Sequence, residues 1–518
     1  MDEEKWMKAG EEKDLKEGVP FPVTVDEKKV MLLLLNGKIH ACGNECSHYG
    51  APLTDGVLKG SEITCPWHNA RFDVTSGRMT SAPALNDLPH YEAKIEGGAV
   101  YIRPGGPHRI EMPEGEDDRT FVIVGAGASG NAAAETLRRE GFSGKILMIT
   151  AEKDLPYDRT MLTKDFLSGE APAKWLPLRS EKFYGRLKID ILTDHRVVSL
   201  DPVKKKITFH NGGSIVGDSI LIATGGVPRA LNVKGSELEG IHYLRSRADC
   251  TNIISELEHV DQVAVLGASF IGLEVAASLR QRGLPVHVVA PENVPLARVF
   301  GEEIGRKIEQ IHREKGVQFH LERTASEMRG DGRIREIVLD DGTRIKAGLL
   351  VIGVGIIPAV DFLAGSGLVE DGAVTVDDRL QTNKEEVFAS GDIAAVPDRL
   401  SGGTRRVEHW VEAERQGQHA ARAMLGSSAP YSEIPFFWTR QFGISVRYLG
   451  YARKPDKIVF RGNKDSDQFI AGYYENGVLC AVSSIGMAKE FIMIGEKIKA
   501  GENIDPEQLS DTDFDLLT

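Results

Sequence analysis

Two stretches of this 518-residue chain join a wholly apolar run to a glycine-rich turn and a helical period: Phe121-Val-Ile-Val-Gly125-Ala-Gly127-Ala-Ser-Gly130 and Val263-Ala-Val-Leu-Gly267-Ala-Ser269-Phe-Ile-Gly272-Leu-Glu274. A strand buried on both faces reads as an unbroken apolar run, so both belong in parallel sheets flanked by helices. Glycines at such a junction let backbone N–H groups and the helix dipole approach a pyrophosphate. The junctions lie 142 residues apart, too far for neighbouring crossovers of one sheet and suited to two duplicated nucleotide-binding domains. Further apolar runs at 146–149, 220–223, 286–289 and 349–352 continue the alternation of strand and helix.

The texture differs on either side. Residues 1–103 read as short strands broken by turns such as Asn36-Gly37, with no long helical period. Residues 104–118, rich in Pro, Gly and charge, predict a linker. From about Ala429 the alternation stops, and 436–482 predicts an antiparallel sheet followed by a helix over 487–499. The fold class expected is therefore multidomain: an N-terminal all-β module, two α/β dinucleotide-binding domains and a small α+β C-terminal domain. An apolar fraction of 41% is enough to give each a core. The longest aliphatic run, 30–35, falls far short of the roughly 20 residues that cross a bilayer, and Met1-Asp2-Glu3-Glu4 is acidic where a targeting peptide is basic. These features predict a soluble, cytoplasmic protein with no membrane span. With 76 carboxylates against 63 Lys and Arg, a net charge of −13 argues against nucleic acid and anionic membrane as partners.

Five cysteines make no disulfide framework. Cys42, Cys250 and Cys480 stand alone, whereas Cys46-Ser-His48 and Cys65-Pro-Trp-His68 form C-x-H, sixteen residues, then C-x-x-H. Two thiolates and two imidazoles on paired loops suit a binuclear centre in which sulfur holds one iron and nitrogen the other. A tetrahedral zinc site is the alternative, although zinc sites usually pair Cys with Cys and His with His.

The segments Cys46-Ser-His-Tyr-Gly-Ala-Pro-Leu53 and Cys65-Pro-Trp-His-Asn-Ala-Arg-Phe-Asp73 resemble Rieske-type ferredoxins. The resemblance implies a [2Fe–2S] cluster on Cys46, His48, Cys65 and His68. Respiratory members carry two further cysteines, at positions that here are Ala51 and Trp67, and a Ser and a Tyr that donate to cluster sulfur, at positions that here are Ala70 and Phe72. Without those donors the cluster is expected near the bottom of the range of roughly −150 to +300 mV.

After the first junction the next strand ends near Glu152, 22 residues past Gly130, where a carboxylate can accept ribose hydroxyls. Ala223-Thr224-Gly225 and Gly391-Asp392 are further strand ends. Each alone is a plain turn; with Gly125, Gly127 and Gly130 they resemble the three FAD contacts of the two-dinucleotide-binding flavoproteins. The second junction keeps Gly267 and Gly272 but has Ser269 in the middle, and the strand that follows ends in Ala290, with Glu292 the nearest carboxylate. No Arg or Lys directly follows that strand to hold a 2′-phosphate, so NADH is expected rather than NADPH.

Disulfide reductases of this class need a C-x₄-C pair where this chain has Leu155-Pro-Tyr-Asp-Arg159-Thr-Met-Leu-Thr-Lys164. That stretch instead resembles the PYxRPxLSK motif of NADH-dependent ferredoxin reductases and apoptosis-inducing-factor-like proteins, with Thr160 and Met161 where the motif has Pro and its neighbour. The resemblance implies that Arg159 contacts FAD and that Lys164 lies near the flavin, paired with Glu274; these two are the catalytic candidates. Glu408-His409-Trp410 and Pro435-Phe-Phe-Trp438-Thr-Arg-Gln441 resemble the family's EHW and PFFWxxQ segments, which approach the flavin. Read without the family, the aromatics are packing residues.

The domains expected are a Rieske module at 1–103, the linker at 104–118, an FAD domain at 119–249 and 373–428, an NAD(H) domain at 250–372 and the C-terminal domain at 429–518. The function implied is transfer of electrons from NADH through FAD to the chain's own cluster, then to an acceptor such as an oxygenase or another carrier. The alternative is a slowly turning over, NADH-responsive signalling protein. Monomer and homodimer both remain open.

Overall fold

The computed structural model describes residues 5–105, 110–398 and 402–516. The chain divides into two units, one of Met1–Met112, Ser432–Trp438 and Arg447–Thr518, the other of Pro113–Tyr431 and Thr439–Val446.

In the first unit, six antiparallel strands run in the order Met7–Glu11, Ala99–Pro104, His90–Glu96, Lys38–Gly43, Lys28–Leu35, Phe21–Val25. The strand Lys28–Leu35 shows how an apolar run serves two cores. Val30 and Leu32 pack with Val25, Ala41, Val100 and Ile102, while Met31 and Leu33, on the opposite face, pack with Leu53, Ile63 and Phe72. Cys42 belongs to the second of these clusters, a small core residue. Asn36 (φ 52°) and Gly37 (φ 71°) both take positive φ, as the two-residue hairpin into Lys38–Gly43 demands. A smaller antiparallel sheet, Val57–Lys59, Glu62–Thr64, Arg71–Asp73 and Met79–Ser81, carries the loop segments between.

The same unit holds most of a five-stranded sheet in the order Phe436–Gln441, Ile444–Gly450, Val478–Ile485, Gln468–Glu475, Lys457–Asn463, followed by helix Ala488–Ala500. Arg71, on the small N-terminal sheet, pairs with Glu433 and, at 3.6 Å, with Glu62, while Lys499 reaches Glu433 at 3.0 Å. Lys59 pairs with Glu496 at 3.1 Å. These ion pairs tie the N-terminal module to the C-terminal segment. Of the linker expected at 104–118, Pro104 closes strand Ala99–Pro104, 106–109 lie outside the described residues, and 110–118 carry no helix or strand.

The second unit contains two parallel five-stranded sheets. The first runs Ile189–Leu192, Lys145–Ile149, Thr120–Val124, Ser219–Ile222, Val387–Ala389; the second Ile241–Tyr243, Leu349–Ile352, Val263–Leu266, Val286–Ala290, Val317–Leu321. Helices Ala128–Arg139 and Phe270–Gln281 leave the two glycine-rich junctions. Among the described residues no helix is long and apolar enough to cross a membrane.

Candidate redox site

The two halves of the Cys/His pattern are built alike. In the first loop the Cys46 N–H donates to Ala51 O (2.8 Å) and Cys46 O accepts from Gly50 N (2.8 Å); in the second, Cys65 N–H donates to Ala70 O (2.8 Å) and Cys65 O accepts from Asn69 N (3.2 Å). The fourth residue after each cysteine, Gly50 (φ 78°) and Asn69 (φ 61°), turns the chain back through the left-handed region. The loops bring Cys46 and Cys65 together, both buried, with a hydrogen bond between the thiols that raises the Cys46 thiol and lowers that of Cys65. The imidazoles of His48 and His68 meet with centroids 4.9 Å apart. His48 Nδ1 is buried without a hydrogen-bond partner, and burial lowers its imidazole to about 3. A neutral imidazole with an unused lone pair is the form that ligates a metal. Two sulfur and two imidazole donors, a Cys and a His from each loop, suit a binuclear cluster in which sulfur holds one metal and nitrogen the other.

Two residues outside the sequence pattern complete this site. The indole of Trp438 stands 4.4 Å from the His68 ring and 6.4 Å from that of His48, centroid to centroid. Arg447 donates from Nε to Trp67 O at 3.1 Å, placing a cation on the second loop. No local motif marks Arg447, because its approach depends on how the strand Ile444–Gly450 packs.

The two nucleotide junctions share their geometry. Gly125 (φ 114°) and Gly267 (φ 104°) adopt a backbone closed to other residues, and a Cβ would stand 2.1 Å from Ala223 O at the first and 2.4 Å from Gly353 O at the second. A Cβ on Gly130 would lie 1.9 Å from Gly125 O, and one on Gly272 would lie 2.0 Å from Gly267 O. The middle positions differ in kind. Gly127 and Ser269 are both extended (φ −81° and −79°), a conformation any residue adopts, and the Ser269 hydroxyl donates back to Gly353 O at 2.9 Å. The cradle therefore fits a pyrophosphate at both junctions.

Around the first junction, Glu152 pairs with Arg159 and accepts from the Tyr157 hydroxyl at 2.5 Å, leaving further lone pairs on each oxygen. Arg159 also donates to Arg245 O at 3.0 Å, and Arg245 pairs with Asp392 at 3.1 Å. Thr224 donates to Ala359 O at 3.1 Å, and Gly225 has φ 66°. Glu408 is exposed and pairs with Arg406, which also donates to Asp392 O at 3.0 Å. His409 stands at the N-cap position of helix Trp410–Met424 without a side-chain cap, and burial holds its imidazole down at about 4. Glu292, half-buried, accepts from Glu322 N through its backbone oxygen at 3.1 Å.

Lys164 and Glu274, 110 residues apart in sequence, meet at 2.8 Å with both side chains largely buried. Glu274 also accepts from the hydroxyls of Thr163 (2.6 Å) and Thr439 (2.7 Å). Thr439 and its partner Gln441 lie on strand Phe436–Gln441, and Gln441 meets His312 at 2.7 Å. Sequence reasoning missed Thr163, Thr439 and His312, which carry no spacing signal of their own. Cys250 donates to Leu162 O at 3.3 Å, and burial pushes its thiol up to about 12, so it stays protonated and inert.

Comparison with known proteins defines the class. Residues 119–417 match the pyridine nucleotide-disulphide oxidoreductase family, residues 5–92 the Rieske [2Fe-2S] domain and residues 436–518 the reductase C-terminal domain. The chain belongs to the pyridine nucleotide-disulphide oxidoreductase family; it is a ferredoxin-reductase-type NAD(P)H flavoprotein with a Rieske domain, and its cofactors are FAD, NAD(P)H and a [2Fe–2S] cluster.

Among its relatives, human apoptosis-inducing factor 3 is 35% identical over 509 residues, covering 95% of this chain and 84% of that protein. Rhodocoxin reductase of Rhodococcus erythropolis is 33% identical, covering 77% of this chain and 93% of its own. The crystal structure of the ferredoxin reductase for the CYP199A2 system of Rhodopseudomonas palustris superposes with a TM-score of 0.74 at 33% identity, over 77% of this chain and 99% of that one. That of the covalent putidaredoxin reductase–putidaredoxin complex gives 0.74 at 27% identity, over 77% and 98%.

Proposed function

We propose that this chain passes electrons from NADH by way of FAD to its own Rieske cluster, held by Cys46, His48, Cys65 and His68, and from there to a separate redox acceptor protein. The contact of Trp438 with His68 carries this reading: a residue of the reductase C-terminal domain packs on a cluster-ligand candidate of the Rieske domain. Bound FAD supplies the conversion between the hydride of NADH and the single electrons that a [2Fe–2S] cluster accepts. The chain's own residues hold the pieces. Gly125, Gly127 and Gly130 open the backbone to the FAD pyrophosphate, Glu152, Arg159 and Asp392 line its binding segment, and Gly267 and Gly272 do the same for NADH. Lys164 brings a cation that favours negative charge on a reduced ring, and Glu274 offsets the cost of burying it.

An anaerobic NADH titration followed by absorbance and EPR tests the route. Flavin bleaching accompanied by a reduced-cluster signal, at a rate independent of protein dilution, is expected. A bleached flavin beside a cluster that stays oxidised would overturn it.

The relative aligned over 95% of this chain bears the name apoptosis-inducing factor 3, and favours a second reading, a slowly turning over NADH-responsive binding protein. Rapid reoxidation by ferricyanide supports the first reading; persistent charge-transfer absorbance with little turnover supports the second.

A further inference from the structure

A chain of hydrogen bonds runs from a buried histidine to the Lys164–Glu274 pair. His312 Nε2 lies 2.7 Å from Gln441 Oε1, Gln441 Nε2 donates to Thr439 Oγ1 at 3.0 Å, and the Thr439 hydroxyl donates to Glu274 Oε1 at 2.7 Å. Lys164 and Thr163 occupy the other carboxylate oxygen. An amide oxygen only accepts, so His312 donates from Nε2. A hydroxyl has one proton; with its acceptor side taken by Gln441, Thr439 directs that proton at Glu274. Every donor in the chain thus points toward the carboxylate.

The opposite polarity is conceivable and the surroundings of His312 disfavour it. Rotating the Gln441 amide would make Thr439 donate to Gln441, strip Glu274 Oε1 of its donor and require the His312 proton to sit on Nδ1. Nδ1 is buried with no hydrogen-bond partner, and apart from Thr439 and Gln441 the small pocket beside this ring is lined by Ile308, Ile311, Ile444 and Val446. An orphaned buried N–H is rarer and costlier than an orphaned lone pair. The apolar side of His312 therefore selects the Nε2–H tautomer, and the tautomer selects the direction of the chain. A side-chain amide does not pass a proton along, so the chain orients rather than conducts.

We propose that His312 is a positioning residue for the Lys164–Glu274 pair, acting through Gln441 and Thr439 to fix the Glu274 carboxylate opposite Lys164. This rests on the reading that the pair works beside the flavin.

The test is single-turnover reduction of the flavin by NADH in the full-length holoprotein. His312→Phe and Gln441→Leu are each expected to slow the limiting rate about tenfold, the effect of roughly 1.4 kcal/mol on the barrier, with NADH affinity unchanged. Thr439→Ser and His312→Gln, which keep the hydroxyl and an N–H donor, are expected at the wild-type rate. In a Glu274→Gln background, His312→Phe and Gln441→Leu should cause no further loss, because they act only through that carboxylate. Losses that add to that of Glu274→Gln, or single variants that reduce at the wild-type rate while Glu274→Gln is slow, overturn the inference and leave the pair's role standing. A Glu274→Gln protein reducing at the wild-type rate overturns the reading of the pair and the inference with it. FAD content and thermal melting establish folding, and Gln441→Leu carries the comparison alone if His312→Phe does not fold.

Discussion

The indole of Trp438 lies against the imidazole of His68, ring centroids 4.4 Å apart and planes tilted by 50°. The two residues are 370 positions apart in the chain. Such a pair is worth about 0.5–1.5 kcal/mol beyond its buried area, and it also fixes the orientation of the ring. Trp438→Ala should slow cluster reduction by NADH without slowing flavin reduction and broaden the EPR signal of the reduced cluster, whereas Trp438→Phe should preserve both. Freeze-quench EPR alongside stopped-flow absorbance separates the two steps.

Removal of the Glu433 charge should loosen the first unit. Arg71 is largely buried between Glu433 and Glu62, its Nε lacks a partner, and Lys499 shares Glu433. Glu433→Gln keeps an amide oxygen but removes the negative charge facing the buried guanidinium and Lys499, leaving Arg71 the longer ion pair with Glu62, so a loss of about 3 kcal/mol is expected, the low end for a buried pair losing one partner. Chemical denaturation monitored at the cluster absorbance measures it.

His312 should give the protein an acid-labile component. Burial lowers its imidazole from 6.5 to about 4. Between those values the unfolded chain binds a proton that the folded chain refuses. Its contribution is complete above pH 6.5, falls by about 1.4 kcal/mol per pH unit below it, and levels off once the folded imidazole protonates near pH 4. Denaturation midpoints across this window should fall less steeply in His312→Phe than in the wild type.

Arg447 should raise the cluster potential. Its guanidinium touches Trp67 O in the second ligand loop, and a cation there favours the reduced, more negative cluster. Arg447→Met should lower the potential, since removing a nearby cation disfavours the added negative charge of the reduced cluster. Arg447→Lys should recover most of it. A potentiometric titration followed by EPR distinguishes the two.

The local patterns were legible in the chain because they are chemical requirements of short segments. Unbroken apolar runs ending in glycine specify parallel strands that turn sharply into helices, and a Cβ at Gly130 or Gly272 has nowhere to go. Paired Cys and His on short loops point to a metal centre through donor type and spacing, with zinc as the alternative, and the resemblance to Rieske-type ferredoxins implied the [2Fe–2S] cluster. The resemblance to a reductase motif was enough to place Lys164 opposite Glu274, and the structure joins them at 2.8 Å.

Other features depended on surfaces meeting. Arg447 reaches a ligand loop, Glu433 gathers Arg71 and Lys499, and His312 closes a chain onto Glu274 through two residues of strand Phe436–Gln441. None has a spacing signature, because a buried charge or hydrogen bond is satisfied by whichever group packing brings within about 3 Å. The amino-acid sequence by itself determined which centres this protein carries; the tertiary structure decided which side chains hold those centres in place, since desolvated polar groups must find partners and only the folded chain supplies them.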